Sequence, residues 1–214
     1  MRRYVADMLR QLTRAELAVD PLEAAPLLLG CVLHADSPQG TVSVRITEVE
    51  AYRGTDDPAS HCYRGRTSRN EVMFGPAGHL YVYFVYGMHF CANVVSMTDG
   101  VAGAVLLRAG EVTSGVTTAR QRRSAARNDN QLAMGPARLT AALGVGRDAN
   151  GLDLTDPDSP IRLYAQDLVT DIRSGPRVGV AVAVNVPWRF WIDGSPSVST
   201  YRRGGKRQRA RQGR

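Results

Sequence analysis

The sequence predicts an α+β fold, a single domain with a curved, mainly antiparallel β-sheet surrounded by helices. Three observations carry that prediction. Residues 41–49 alternate, with Val42, Val44 and Ile46 opposite Thr41, Ser43, Arg45 and Thr47, the period of a half-buried strand. Residues 79–86 and 88–95 form two strand-like runs broken at Gly87, where a residue without a Cβ lets the chain reverse. Helix-start signals lie around these runs, at Asp20-Pro-Leu-Glu23 and at Pro136. At 214 residues the chain can bury a substantial core without metals or disulfides.

Taken in order, a mixed polar helix is expected over 3–18. Asp20 then offers an N-cap, Pro21 a first-turn proline and Glu23 a capping carboxylate, opening a second helix toward Leu29. The strand at 41–49 follows. Residues 53–78 carry Gly, Asp-Asp-Pro and Gly-Pro punctuation with little periodicity. A loop that long in a compact domain is usually functional or disordered, and this one is read as functional. Strands are expected at 79–86, 88–95 and 102–108, then a helix over 113–127. Asn128-Asp-Asn-Gln131 reads as a mobile loop, and a short helix runs from Pro136 to near Leu143. Strands near 161–165, 177–184 and 188–193 complete the set. No internal repeat is evident.

Two segments hold the side chains of greatest chemical interest. Tyr81, Tyr83 and Tyr86 are three of eight tyrosines and fall within six positions. Strand geometry points Tyr81 and Tyr83 the same way, while Tyr86 sits at the hairpin tip. The run is also what an aromatic-rich core strand looks like. The second segment is Glu48-Val-Glu-Ala-Tyr52. Continued without a bulge, the parity of Val42, Val44 and Ile46 carries Glu48, Glu50 and Tyr52 onto the apolar face, where a carboxylate needs a partner or a role. Alternatively the strand bulges near Val49 or ends at Thr47, leaving both glutamates in water. Periodicity leaves both readings open.

Composition excludes several classes. Cys31, Cys62 and Cys91 have no zinc-ligand spacing, and their odd number argues against a disulfide framework. The four histidines form no His-Glu-x-x-His arrangement, so neither metal nor cofactor is expected. Met1-Arg-Arg leads into polar sequence, not the apolar core of a signal peptide, and no run approaches a membrane span. A cytoplasmic, nucleoid-associated monomer is the expected placement. The formal net charge is +7, but Arg202 to Arg214 holds seven cations and no acids. Without that segment the chain has 20 basic and 20 acidic residues, so bulk charge does not argue for nucleic acid in the body. Only local clusters do, at Arg64, Arg66 and Arg69 and at Arg120, Arg122, Arg123 and Arg127, the latter read as a solvated helix face. The domain is placed at 1–200, with 201–214 a basic tail, expected to be disordered, that adds salt-sensitive affinity.

Glu48-Val-Glu-Ala-Tyr52, His61, Arg64-Gly-Arg-Thr-Ser-Arg-Asn70, Met73-Phe74 and Leu80 through Asn93 occur in that order. Downstream come Ala104-Val-Leu-Leu-Arg108, Met134-Gly-Pro-Ala-Arg-Leu139, Arg177-Val-Gly179 and Trp191-Ile-Asp-Gly-Ser-Pro196. This series resembles the alkyladenine (3-methyladenine) DNA glycosylase family, its bacterial members in particular, over about residues 18–200. The resemblance implies an enzyme that flips a damaged purine out of double-stranded DNA and hydrolyses its glycosidic bond. It implies Glu50 as the general base for the attacking water and Arg108 beside that water. Tyr52, His61 and Tyr83 would sandwich the flipped base, and Asn93 would crowd out the 2-amino group of guanine. Tyr86 would fill the gap in the duplex, and Arg64, Arg66 and Arg69 are candidates to grip its backbone.

One deduction needs no resemblance. Among 27 basic residues Lys206 is the only lysine, and glycosylases that also nick the backbone use an amine to form a Schiff base. Simple hydrolysis leaving an abasic site is therefore expected. Ser68 departs from a common proline and His89 from a tyrosine, and 127–131 is a variable region. Two rivals stand beside the enzyme: a binder that flips damaged bases without cutting them, and an RNA-binding module on a related scaffold.

Overall fold

The computed structural model describes residues 10–85, 87–166 and 168–204. Tyr86, Lys206 and the basic tail from 205 onward, each singled out by the sequence, lie outside the described residues. Among those described, nine strands form one sheet: β1 (Val32–Ala35), β2 (Val42–Tyr52), β3 (Leu80–Val85), β4 (His89–Val95), β5 (Ala104–Ser114), β6 (Ala133–Met134), β7 (Ile161–Tyr164), β8 (Ile172–Gly175) and β9 (Arg189–Ile192). The main path is β3-β4-β5-β2-β1-β7, with β6 on β5 and β9 and β8 continuing from β2. Every pairing is antiparallel, as expected of an α+β domain. Helices α1 (Arg14–Leu17), α2 (Pro21–Leu28), α3 (Val116–Arg122) and α4 (Pro136–Leu143) flank it.

Local chemistry explains the helix ends. Asp20 accepts from the Leu22 amide at 2.9 Å, capping α2 as its sequence predicts. The Asp20 carboxylate also takes the Arg53 guanidinium at 2.9 Å, which fastens α2 beside the end of β2. α4 starts at Pro136 and stops at Gly144, whose φ of 75° suits a residue without a Cβ.

Three expectations are corrected. The helix placed at 3–18 is, in its described part, only one turn from Arg14 to Leu17, because Thr13 and Glu16 form a capping box that starts it there. The helix expected at 113–127 begins at Val116, because β5 runs on to Ser114, opposite Ser43. At Gly115 a Cβ would lie 2.1 Å from the Thr41 carbonyl oxygen, so the chain can turn there only without a side chain. Residues 177–184, expected as a strand, are a loop. Pro176 cannot donate to a ladder, Gly179 and Ala183 adopt φ of 74° and 50°, and the strand lies instead at 172–175. Residues 128–131 contain a short 3-10 turn capped by Asn128.

The centre of the sheet is the pair β2 and β5, eleven residues each. Their register breaks on either side of Glu48 and then recovers, so that Ile46 faces Gly110 and Glu50 faces Leu106. Neither Thr47 nor Arg108 has a partner in that register. The neighbours change at the same level: β1 covers the first half of β2 and β9 the second. β6 covers the later half of β5 and β4 the earlier. Side-chain sidedness changes with them. Val42, Val44 and Ile46 enter the main core, but beyond the irregularity it is Val49 and Ala51 that do. Neither reading of the glutamates survives unchanged. The strand does not end at Thr47, and the bulge turns Glu48, Glu50 and Tyr52 away from the main core without exposing the carboxylates.

Candidate active site

Glu50 forms the floor of a cleft of about 790 Å³, within the roughly 300–1,000 Å³ common for small-molecule sites. Its side chain is fully buried. Oε1 accepts from the Val178 amide at 2.7 Å and lies 3.2 Å from Arg108 Nη1. Oε2 accepts from the Tyr52 hydroxyl at 2.8 Å. A carboxylate has roughly four lone-pair sites, so these three donors leave one acceptor direction, on Oε2, unused. Burial first, then the Glu50 carboxylate, raises the Tyr52 phenol well above its usual range. Tyr52 is therefore held as a donor to Glu50.

Arg108 sits between two carboxylates. Its Nε donates to Glu48 Oε1 at 2.8 Å. Burial alone would lower its pKa, but Glu50 and Glu48 together raise it. Glu48, also fully buried, accepts from Arg189 Nε at 2.7 Å and from the Ser199 amide and hydroxyl at 2.7 and 2.9 Å. Burial alone would raise the Glu48 carboxyl. Arg108, Arg189 and Ser199 outweigh that, and it titrates below the usual carboxylate range.

One wall is aromatic. The rings of Tyr81 and Tyr83 stack at 5.5 Å and 24°, which is what their two-residue spacing on β3 predicts. His61 meets the edge of Tyr83 at 4.6 Å, and its Nδ1 lies 3.1 Å from the Tyr81 hydroxyl. Partial desolvation of the imidazole against these rings lowers its pKa, and Arg69 adds in the same direction. Asn70 holds the loop in place: its amide donates to the carbonyls of His61 and Gly65 at 2.9 and 3.0 Å. Asn93 lies opposite Tyr81 in the β3–β4 register and donates to the Tyr81 carbonyl at 3.1 Å. The facing lip is the loop 178–182. The C-terminal segment lies against it, the Gly179 amide donating to the Arg202 carbonyl at 3.1 Å.

The structure thus brings together Glu50, Tyr52, His61, Tyr83, Asn93 and Arg108 around one cleft. Arg69 lines the cleft with its guanidinium 6.0 Å from the Tyr83 ring. Arg64 and Arg66 are exposed on the neighbouring loop, Arg66 lying 5.9 Å from the Phe74 ring. Arg120, Arg122 and Arg123 have internal partners in Asp129, the Ala142 carbonyl and the Leu132 carbonyl. Beside the hairpin tip Phe84 and Met88 are 42% and 69% exposed, an apolar edge next to the cleft. Sequence reasoning missed the role of Val178 and the buried partners of Glu48. The Pro176 and Gly179 punctuation was the available signal against a strand there. Among the described residues no cluster of His, Cys, Asp or Glu could hold a metal ion, and no helix is long and apolar enough to cross a membrane.

The cleft thus combines a buried carboxylate at its floor with one wall of stacked aromatic rings. The chain belongs to the methylpurine-DNA glycosylase family, whose model matches residues 15–196. It is 53% identical over 202 residues to a protein of Streptomyces avermitilis, covering 92% of this chain and 95% of that one. It is 54% identical over 195 residues to one of Nocardia farcinica, with 88% and 90% covered. A Mycobacterium tuberculosis protein is 48% identical over 196 residues, with 89% and 94% covered. All three bear the provisional name 3-methyladenine DNA glycosylase.

Proposed function

We propose that this protein is a monofunctional DNA glycosylase of base excision repair. It takes an alkylated or deaminated purine out of the duplex and hydrolyses its N-glycosidic bond, leaving an abasic site. The observation that carries the reading is the position of Glu50, a buried carboxylate with one free acceptor direction at the floor of an aromatic-walled cleft.

Removing a base from the stack costs a few kcal/mol, and stacking on aromatic side chains returns about 1–3 kcal/mol per base. Tyr83, His61 and Tyr52 supply those surfaces. Glu50 takes the proton of a water bound at its free lone pair as that water attacks the sugar carbon and the C–N bond breaks. Arg108 orients Glu50 and Glu48 fixes Arg108, through contacts of 3.2 and 2.8 Å. A positioned base contributes about 10²–10⁴ in rate. The electron-poor, alkylated or protonated leaving base and electrostatic support of the cationic sugar contribute the rest. Asn93, buried beside the cleft, is assigned the exclusion of the 2-amino group of guanine from its motif. Tyr86 is assigned the duplex gap from its motif alone.

Single-turnover excision from duplexes bearing hypoxanthine, ethenoadenine or alkylated adenine tests this reading. Release of free base from at least one is expected, and none from undamaged duplex. Absence of release, with tight lesion binding, would sustain the damage-sensing binder in its place.

Lys206 and the N-terminus are the only primary amines in the chain. Borohydride added during turnover is expected to trap no protein–DNA crosslink. Efficient trapping would mean a lyase. The tail's contribution is separable as well. Because Arg202 is docked against Gly179, truncation after Gly204 removes Lys206, Arg207, Arg209, Arg211 and Arg214 and spares the lip. The slope of log affinity against log salt is expected to shrink by about 0.9 for each phosphate the tail had neutralised, with single-turnover excision nearly unchanged. An unaltered slope would remove the tail from DNA binding.

A further inference from the structure

The two lips of the cleft are joined beneath its floor by an ion pair that the proposed chemistry does not use. Asp57 and Arg177 lie 120 positions apart, and both side chains are completely buried. Arg177 Nη2 donates to Asp57 Oδ1 at 2.8 Å and Nη1 donates to Oδ2, a two-pronged contact. The same Nη1 donates to the Ala51 carbonyl at 3.0 Å, directly between Glu50 and Tyr52. The guanidinium carbon lies 4.6 Å from the Tyr52 ring centre and 5.1 Å from that of Trp188. Burial alone would lower the Arg177 pKa, but Asp57 raises it.

Each partner is also the root of a lip. Asp57 Oδ1 accepts from the Ala59 amide at 3.0 Å, and the Asp57 carbonyl accepts from the Ser60 amide at 2.8 Å, shaping the turn that delivers His61. Arg177 is followed at once by Val178, whose amide donates to Glu50. A buried pair is seldom an efficient source of stability, since apolar side chains of the same volume serve as well or better. What the pair supplies is a fixed spatial relation between the two lips and the floor.

We propose that Asp57 and Arg177 are positioning residues, a clamp that sets the Val178 amide on Glu50 and the ring of Tyr52 against the base. The clamp's role in excision rests on the glycosylase reading, while its geometry can be tested without activity. The clamp makes Arg–Lys exchange at 177 non-conservative, because an ammonium cannot give the planar two-pronged contact and the Ala51 bond together.

The experiment compares wild type, Arg177→Lys and the double variant Asp57→Leu with Arg177→Met, the last keeping an apolar filling that does not depend on charge. Hydrogen exchange at the Val178 amide, lesion-duplex Kd and single-turnover rate are measured for each. In both variants Val178 exchange is expected to speed up and the single-turnover rate to fall about 100-fold, the scale of a roughly 1 Å misplacement. Lesion Kd is expected to change only a few-fold, and the double variant to keep the wild-type Tm. Unchanged Val178 protection in Arg177→Lys would overturn the clamp, whatever the activity. A wild-type rate in either variant would overturn it as well. A wild type that excises nothing would instead overturn the glycosylase reading, with Val178 exchange still deciding the clamp.

Discussion

Glu50→Gln is expected to lower single-turnover excision by about 10²–10⁴-fold, the range a positioned general base supplies, while lesion-duplex binding stays near wild type. The geometry explains why binding survives. The amide oxygen of glutamine can take the place of Oε1, accepting from Val178 and Arg108, while its NH₂ replaces Oε2 and donates to the Tyr52 hydroxyl, which rotates to accept. Shape and internal hydrogen bonds are kept. What disappears is the one free lone pair able to take a proton from water. Excision at the wild-type rate would remove Glu50 from the chemistry. Tight lesion binding by both proteins with excision by neither would leave a base-flipping binder as the better account.

Glu48→Ala is expected to destabilise the fold by about 3–5 kcal/mol, the usual consequence of taking one partner from a buried ion pair. Arg108 and Arg189, 6% and 5% exposed, would be left without their shared carboxylate, and Ser199 without its acceptor. For a chain of this size that corresponds to a fall in Tm of roughly 6–20 °C. The pH dependence follows from the depressed Glu48 pKa. Its ordinary value is 4.5 and its folded value is lower, so on acidification the unfolded chain takes up the proton first. The stabilisation is complete above about pH 4.5 and is lost as pH falls through the folded value. Urea unfolding between pH 7 and pH 3 checks both parts. Wild type should lose stability on the acid side of 4.5, and Glu48→Ala should start lower and lose less there. A variant within about 1 kcal/mol of wild type at pH 7 would mean that desolvation cancels the network's attraction.

How much of this molecule is legible in one dimension depends on the range of the interaction. The caps of α2 and α4 and the strands β2, β3 and β4 are written in local periodicity and turn chemistry, and they appear within a few residues of their expected places. The shared side of Tyr81 and Tyr83 follows from strand parity alone. The two-residue β6 is too short to leave a periodic signal, and Val32-Leu-His-Ala35 of β1 does not alternate apolar with polar. Val178-Gly-Val-Ala-Val182 reads as a strand, yet among the described residues it joins no strand of the sheet and forms a lip. The site itself was visible only in part. Its family motifs name Glu50, His61 and Asn93, but no local pattern joins Asp57 to Arg177 or Glu48 to Ser199. Those pairs are set by packing of the whole sheet. Nor could periodicity choose between two sides of β2 when both are buried beyond Thr47.

The register break at Thr47 and Arg108 works like a reading-frame change carried out in the protein itself. Upstream of it the even-numbered residues of β2 build the interior; downstream the odd-numbered ones do, and the even-numbered ones face the cleft and its ion-pair network. Substitutions along this strand alter one position each. Loss or gain of a single residue at the break would exchange two messages at once, sending Val49 and Ala51 into the cleft and Glu48 and Glu50 into the oil. The carboxylate proposed as the base is thus specified by its phase relative to Thr47 as much as by its identity, and alignments that slide a gap across this point would misassign both.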